Sequence, residues 1–566
     1  MPNAHRIWID PTGMRHSIVQ PDAVSEQPAN GLLRPIAGSR YLQVVDRRTA
    51  INAATTALLL LTLAVMLFTA LRTPLKDDIA WLLYVARRWM AGRELYVDVI
   101  EVNPPLIVWI SAIPIHIAGW LRVQPEVVAM PFFMSAILGS AFATACTLRD
   151  YIGRVDGFHH RSLFADRLPV FAILGTVLLV VPGMELGQRE HLLIAAGLPY
   201  LVLFARGLDG HRPRPSLAIA VGIVAALGCA LKPRYAAAFA VLECLTLLRG
   251  QTVFRLMPMA AATALAAYAG LVFLISPSYY SRAIPLALAL YGASDVTFLH
   301  LLFDSLRLLA CQGAALMLWG WSRQFLPRSF LPERSLVLTL VVFSLAATVV
   351  CFLDGKVWFY HRLPATIATI LALLVWITSA IAHRRQAPAG RARHILLPML
   401  VAVAAIATFA VTTFQRVEPE IESAVQPERT ITAHLEDVVR RYKVRRYIAF
   451  SEWIALGFPV VNNTGVTWTS RFDSMWALKG ELWRVRFDPT AEREYPVRRW
   501  VARDFVQGCP DLAVVDLRDG FNYIAVLSAS DPEFARAWAG YRRIEAFDGL
   551  EVYLRHGKCS PEAHTP

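Results

Sequence analysis

Apolar and polar positions segregate along this chain into long blocks rather than a fine alternation. After some fifty mostly polar residues, windows of roughly 20 apolar residues recur, each long enough to cross a hydrocarbon core of about 30 Å as a helix. They fall at Ile51–Ala70, Glu126–Leu148, Leu168–Met184, His191–Arg206, Ser216–Leu231, Tyr235–Leu248, Leu256–Ile275, Phe298–Trp319, Ser335–Leu353, Pro364–Ala382 and Ile395–Phe414. From Gln415 onward the long runs stop. "TAHLEDVVRRYKV" (Thr432 to Val444) has helical spacing, while "RYIAF", "DLAVVDL" and "LEVYLRH" read as strands. The pattern predicts an α-helical polytopic membrane protein: a polar tail over 1–50, a transmembrane module over 51–414 and a small α/β domain over 415–566. No internal repeat is visible.

Charge orients these segments. Arg47 and Arg48 precede the first apolar run, and the loops His383 to His394, Arg206 to Arg214 and Ser322 to Arg334 are rich in Arg. Short basic loops stay cytoplasmic. The count closes only if "PPLIVWISAIPIHIAGWL" (Pro104 to Leu121) does not cross but lies as a re-entrant or juxtamembrane helix. The expectation is about eleven spans, with the N-terminus inside and the C-terminal domain outside. The first 17 residues lack an apolar core, so the first apolar run is expected to act as a retained signal-anchor. "SPSYYSRAIPLALALYGASD" (Ser276 to Asp295) is expected as a further outer juxtamembrane element.

Composition agrees with this picture. Of 566 residues 56% are hydrophobic and only 17% charged. The net charge of +13 sits in short loops between apolar runs, so it is not a nucleic-acid footprint and no nucleic-acid partner is expected. Of seven cysteines, Cys146, Cys229, Cys244, Cys311 and Cys351 lie in apolar runs, where Cys behaves as a small hydrophobe. Cys509 and Cys559 lie in the polar C-terminal region, where an oxidising compartment allows them to bond. There is no P-loop, no Gly-rich dinucleotide fingerprint and no Ser-His-Asp spacing.

The chemistry-bearing residues gather at one expected surface. Asp77 and Asp78 follow the first span, with Arg87, Arg88 and Glu101 beyond them. "GQREH" (Gly187 to His191), Lys232 and Arg234, and "DGKVWFYHR" (Asp354 to Arg362) come from other loops on the same side. Ionisable groups at membrane-helix ends are costly and mark function. The acidic subset (Asp77, Asp78, Glu101, Glu190) suits taking a proton from a hydroxyl. The basic subset (Lys232, Arg234, Lys356, His361, Arg362) suits holding a phosphate leaving group.

The run "DDIAWLLYVARRWMAGRELYVDVIEVNPPLIVW" resembles the first outer loop of the GT-C superfamily of membrane glycosyltransferases, which includes protein O-mannosyltransferases and the aminoarabinose transferase of lipid A. The shared pattern is an acidic pair (Asp77, Asp78), an amphipathic helix, Gly92–Tyr96–Asp98, and Pro104–Pro105–Leu106. "GQREHLL" resembles that superfamily's second acidic motif, "ALKPRY" its Lys-Pro break and "DGKVWFYHRLPA" the signature of bacterial members. The resemblance implies an inverting hexosyl- or pentosyltransferase of a bacterial inner membrane with a periplasmic C-terminal domain. The donor is a polyprenyl-phosphate sugar, and the acceptor is a hydroxyl on a cell-envelope glycan or glycolipid, as in lipopolysaccharide or polysaccharide biosynthesis. Asp77 or Asp78 is then the general base. Glu190, counted with them at the catalytic centre, orients the acceptor or the sugar, and Arg189 and Glu101 contact substrate. Lys232, Arg234, Lys356, His361 and Arg362 hold the donor phosphate. Two departures stand out: Asp-Asp replaces the commoner Asp-Glu, and Glu190 follows Arg189 where relatives often carry Asp a few residues later.

Plainer readings stand beside these. The Asp pair also suits the N-terminus of the helix that follows, and Arg189–Glu190 suits a surface ion pair. Lys232 is also a snorkelling cation, and the residues around Trp358 an interfacial aromatic belt. Trp468, Arg471, Phe472 and Trp476 read as core aromatics before they read as a sugar platform. No residues have protein-bound zinc spacing; one divalent cation between Asp77, Asp78 and Glu190 is compatible with the sequence. The rival functions are a secondary transporter or flippase of a lipid-linked substrate, and an inactive assembly partner.

Overall fold

The computed structural model describes residues 37–152, 167–291, 296–326, 334–356, 358–384 and 394–557. The described residues open with α1 (Ala37–Arg72). Two shorter helices follow, α2 (Asp77–Met90) and α3 (Leu106–Leu121), then α4 (Pro125–Ile152), α5 (Arg167–Val180) and α6 (Arg189–Leu208). A tight pair, α7 (Pro215–Leu231) and α8 (Ala236–Leu248), is followed by α9 (Leu256–Ile275). Four long helices then run Phe298–Phe325, Arg334–Leu353, Phe359–Arg384 and Leu396–Val425.

Among the described residues, eight helices are long and apolar enough to cross a membrane: α1, α4, α6, α9 and these last four. Each of the eleven expected spans coincides with a helix; α5, α7 and α8 are shorter than the rest, at 14, 17 and 13 residues. The α7–α8 break falls at Lys232–Pro233, where proline has no N–H for the helical ladder and a single 3₁₀ turn (Pro233–Tyr235) replaces it. α3 is a 16-residue helix entered through Pro105. Residues 276–291 form a turn and then a mixed π/α-helical segment; the last four residues of that expected element lie outside the described ones.

α2 shows why the first connecting segment folds. Asp77 and Asp78 fill its first turn and Arg87 and Arg88 its last, each sign complementing the helix dipole. Ile79 to Leu83, Val85 and Ala86 are all buried, so the middle of the helix is enclosed on nearly every side.

The C-terminal residues form a five-stranded sheet of order β2-β1-β3-β5-β4. Its strands are β1 (Arg446–Phe450), β2 (Thr467–Trp468), β3 (Leu512–Asp516), β4 (Tyr541–Phe547) and β5 (Leu550–Arg555). β1 runs parallel to β2 and β3, while β5 is antiparallel to both β3 and β4. β3 is buried along its whole length, as expected for a central strand. Asp548 and Gly549, both at positive φ (47° and 73°), close the β4–β5 hairpin. The three expected strands and the expected helix (here Ile431–Arg441) are present. β2 and β4 are additions. Trp468 and Phe472 are buried in this domain's core. Cys509 is disulfide-bonded; Cys559 lies outside the described residues.

This domain packs on the loops between the apolar helices. Phe458 sits edge-on to Trp81 with ring centroids 5.0 Å apart, and Asn462 donates to the Ala80 carbonyl at 3.1 Å. Helix Trp476–Phe487 lies against the 279–291 segment so closely that a Cβ at Gly480 would stand 2.5 Å from the Leu290 carbonyl oxygen.

Candidate functional site

The α1–α2 connection, the 185–191 turn, the α7–α8 break and residues 354–362 converge at the end of the helix bundle that carries the C-terminal domain. Asp77 and Asp78, adjacent in sequence, turn to different partners. Asp77 accepts the Asp78 N–H at 2.8 Å and lies 3.2 Å from the Lys76 ammonium. Asp78 accepts from the Gln188 side chain at 2.8 Å and lies 3.3 Å from Arg189, whose guanidinium is buried. Gly187 makes that second contact possible. It sits at φ +87° against Ile79 and Phe133, a conformation that favours glycine, and it turns the chain so that Gln188 and Arg189 face α2.

Asp77 also borders a cavity of about 380 Å³ between the end of α1, helix Leu396–Val425 and the C-terminal domain, lined among others by Lys76, Glu420, Thr430 and Trp453. Glu185 lies 3.6 Å from Lys76. Burial pushes the Glu185 carboxyl up to about 7, against the pull of Lys76. Burial, with Asp78 adding to it, likewise raises Asp77 above the usual carboxylate range, while Lys76 opposes the shift. Burial works against the Lys76 charge, but the three carboxylates around it outweigh that and hold its pKa high.

Deeper in, a chain of charged and polar side chains links three segments. Lys232 lies 3.3 Å from Glu190, and Glu190 lies 3.8 Å from Nε2 of His361. His361 presents Nδ1 3.0 Å from Asp354, which also pairs with Arg234. Glu190 and His361 are fully buried. Ions in such surroundings persist only when paired.

Of the expected phosphate ligands, then, Lys232, Arg234 and His361 are tied to Glu190 and Asp354. Arg362 is turned toward Asp304 at 2.6 Å. Lys356 differs: its ammonium sits over the Tyr291 and Trp358 rings, 4.8 and 5.1 Å from their centroids, and forms no ion pair among the described residues. Burial lowers its pKa. Glu101 is buried and accepts from Trp81 Nε1 at 2.6 Å and from the Asn103 N–H at 2.8 Å, which fixes the turn leading into α3. Among the described residues no group of three or more His, Cys, Asp or Glu is placed to hold a metal ion. Asp77, Asp78 and Glu190 do not form one, because each turns toward a different cation.

Four participants were not singled out in the sequence: Lys76, Glu185, Asp354 and Asp473. Glu185 and Asp354 had a signal, since each lies within or beside a quoted motif. Asp473 had none. It lies in the C-terminal domain, in "SRFDSMW", and its Oδ1 accepts from the Ser474 N–H and from Trp476 Nε1, both at 2.7 Å. Trp476 in turn packs edge-on against Tyr291 at 5.2 Å.

A large apolar cavity of about 870 Å³ runs between α3, α4, α6 and α7. Phe133, Ile137, Ala196 and Gly228 line it, as does Leu231, the residue before Lys232.

No protein-family model matches this sequence, and no curated protein does at a significant level. The functional reading therefore rests on the geometry and on the motifs.

Proposed function

We propose that this protein is a glycosyltransferase of the GT-C type. On this reading it moves a sugar from a polyprenyl-phosphate donor to a hydroxyl of a cell-envelope glycan or glycolipid, at the outer face of a bacterial inner membrane. The observation that carries the reading is the convergence of paired, buried charges from four separate segments at one end of an apolar bundle, beside a long apolar cavity. Charge in such a place is costly and has few structural justifications. A lipid phosphate needs both features: a dry channel for its chain and cations where the channel ends.

In this scheme the polyprenyl chain occupies the 870 Å³ cavity and its phosphate meets Lys232 and Lys356. Lys356 is the readier of the two, because no carboxylate has to release it. Phosphate arrival draws Lys232 from Glu190 toward the anion. The acceptor hydroxyl approaches from the side of the C-terminal domain, where Asp77 and Asp78 orient it. The acceptor oxygen bonds to the anomeric carbon as the carbon–phosphate oxygen bond breaks, and a carboxylate takes the proton. Eleven spans, with the N-terminus cytoplasmic and the C-terminal domain periplasmic, set both substrates on one side.

The test compares envelope glycans of a deletion strain by mass spectrometry, complemented with wild type, Asp77→Asn or Asp78→Asn. Loss of one sugar unit, restored by wild type but not by Asp78→Asn, is the expected result. Unchanged glycans in the deletion strain would sink the proposal in favour of a transporter or an inactive partner.

A further inference from the structure

A carboxylate held by a cation is a weak base. Asp78 faces Arg189 and Glu190 faces Lys232, so each is arranged to position a group or balance a charge; Asp77 turns away from both, toward Lys76 and the cavity at the end of α1. Asp473 is placed differently. Its carboxyl forms no ion pair among the described residues, and the charges that act on it most, Glu101 and Asp78, are both acids. Its donors are one backbone N–H and one indole N–H, both on Oδ1, and both neutral.

The backbone around Asp473 is fixed from three sides. Arg471 gives its carbonyl to the Ile100 N–H at 2.8 Å, one residue before Glu101. The Arg471 guanidinium is committed to Asp504 at 2.7 Å and so is not available to Asp473. Met475 donates its N–H to the Ser451 carbonyl at 2.8 Å, and Trp476 leans on Tyr291, whose ring also carries the Lys356 ammonium. The turn is thus pinned between the Glu101 loop and the 279–291 segment, with both hydrogen bonds of its carboxyl on Oδ1 and Oδ2 left without one among the described residues.

We infer that Asp473, supplied by the C-terminal domain, is the general base of the transfer, with Asp78 orienting the acceptor hydroxyl. The inference rests on the glycosyl-transfer reading and assigns its proton. The acceptor oxygen forms its bond to the anomeric carbon. The electron pair of the broken bond leaves on the polyprenyl phosphate, and the acceptor proton passes to the Asp473 carboxylate. Burial, with Glu101 adding to it, brings the Asp473 carboxyl up to about 7, where a base is both ionised and avid for a proton. Since the base acts ionised, activity falls as the pH drops through this value.

Right-side-out membrane vesicles of the deletion strain, complemented with each variant, allow the external pH to be set while sugar addition to endogenous acceptor is followed by mass spectrometry. Wild type should show an acidic limb centred near the pKa of this carboxyl. Asp473→Asn should lose ~10²–10⁴-fold in rate and lack the limb, while Asp473→Glu restores part of the rate together with the limb. Trp476→Phe removes a donor that favours the carboxylate, so its limb should move to higher pH. Wild-type rate in Asp473→Asn, with Asp78→Asn still inactive, would overturn this inference and leave the glycosyl-transfer reading standing. A deletion without any glycan change would remove both. If Asp473→Asn does not accumulate in the membrane, Trp476→Phe decides: a limb that does not move overturns the assignment.

Discussion

The Lys232 ammonium lies 3.3 Å from the Glu190 carboxylate, and neither side chain is open to solvent. Removing one partner strands the other. Lys232→Met should therefore destabilise the protein by about 3–5 kcal/mol. The double variant Lys232→Met/Glu190→Gln should recover most of that loss while staying inactive if Lys232 holds the donor phosphate as proposed. Thermal unfolding of the detergent-solubilised protein measures the first effect and the glycan assay the second. A double variant as unstable as the single one would show that the pair is not an energetic unit.

Lys356 is expected to matter for binding more than for folding. Its cation rests on two aromatic rings and has no described carboxylate to strand. Lys356→Met should melt within a few degrees of wild type yet weaken the donor ~10–100-fold, the worth of a charge-assisted hydrogen bond. The effect should appear in KM for the lipid donor, and a change confined to kcat would contradict it.

Glu185 gives a pH signature. Its carboxyl rises from 4.5 to about 7 in the folded chain, mainly through burial. A raised acid binds its proton more tightly when folded, so its contribution is complete below pH 4.5 and is lost as the pH climbs through 7. The swing is roughly 3 kcal/mol. Glu185→Gln has nothing to lose, so its stability relative to wild type should improve across that window and then level off. Melting curves at pH 4.5, 6 and 8 would test this, and a constant offset at all three would count against it.

Gly480 is a contact point between helix Trp476–Phe487 and the 279–291 segment. A methyl group there would press on the Leu290 carbonyl oxygen. Gly480→Ala should cost about 1–3 kcal/mol and lower transfer, since it shifts Trp476 against Tyr291. Limited proteolysis of the domain would report the loosening, and unchanged cleavage would argue against it.

The helical scaffold was legible because long apolar runs have few alternatives to crossing a bilayer. β1, β3 and β5 were legible as compact apolar blocks. β4 was not, since "YRRIEAF" mixes exposed charges with half-buried apolar positions along an edge strand. Motif order placed Asp78, Glu190, Lys232 and His361 in one neighbourhood, but it could not say who would hold whom. The pairing of Arg234 with Asp354 spans 120 residues and carries no local mark. Asp473 is the extreme case, a loop aspartate until the tertiary fold ties its turn to the Glu101 loop through Arg471 and Ile100.

Helix Leu396–Val425 runs unbroken from the bundle into the C-terminal domain, past the point where the composition changes. An engineer seeking a minimal enzyme would be drawn to truncate there, near Gln415, and would be misled. The cut would sever a rigid strut and discard Asp473, Trp476 and Phe458. A graft of a foreign C-terminal domain would fail for the same reason unless the Leu95–Glu101 loop and the 279–291 segment travelled with it. The exchangeable module in this architecture is a set of touching surfaces, not a stretch of sequence.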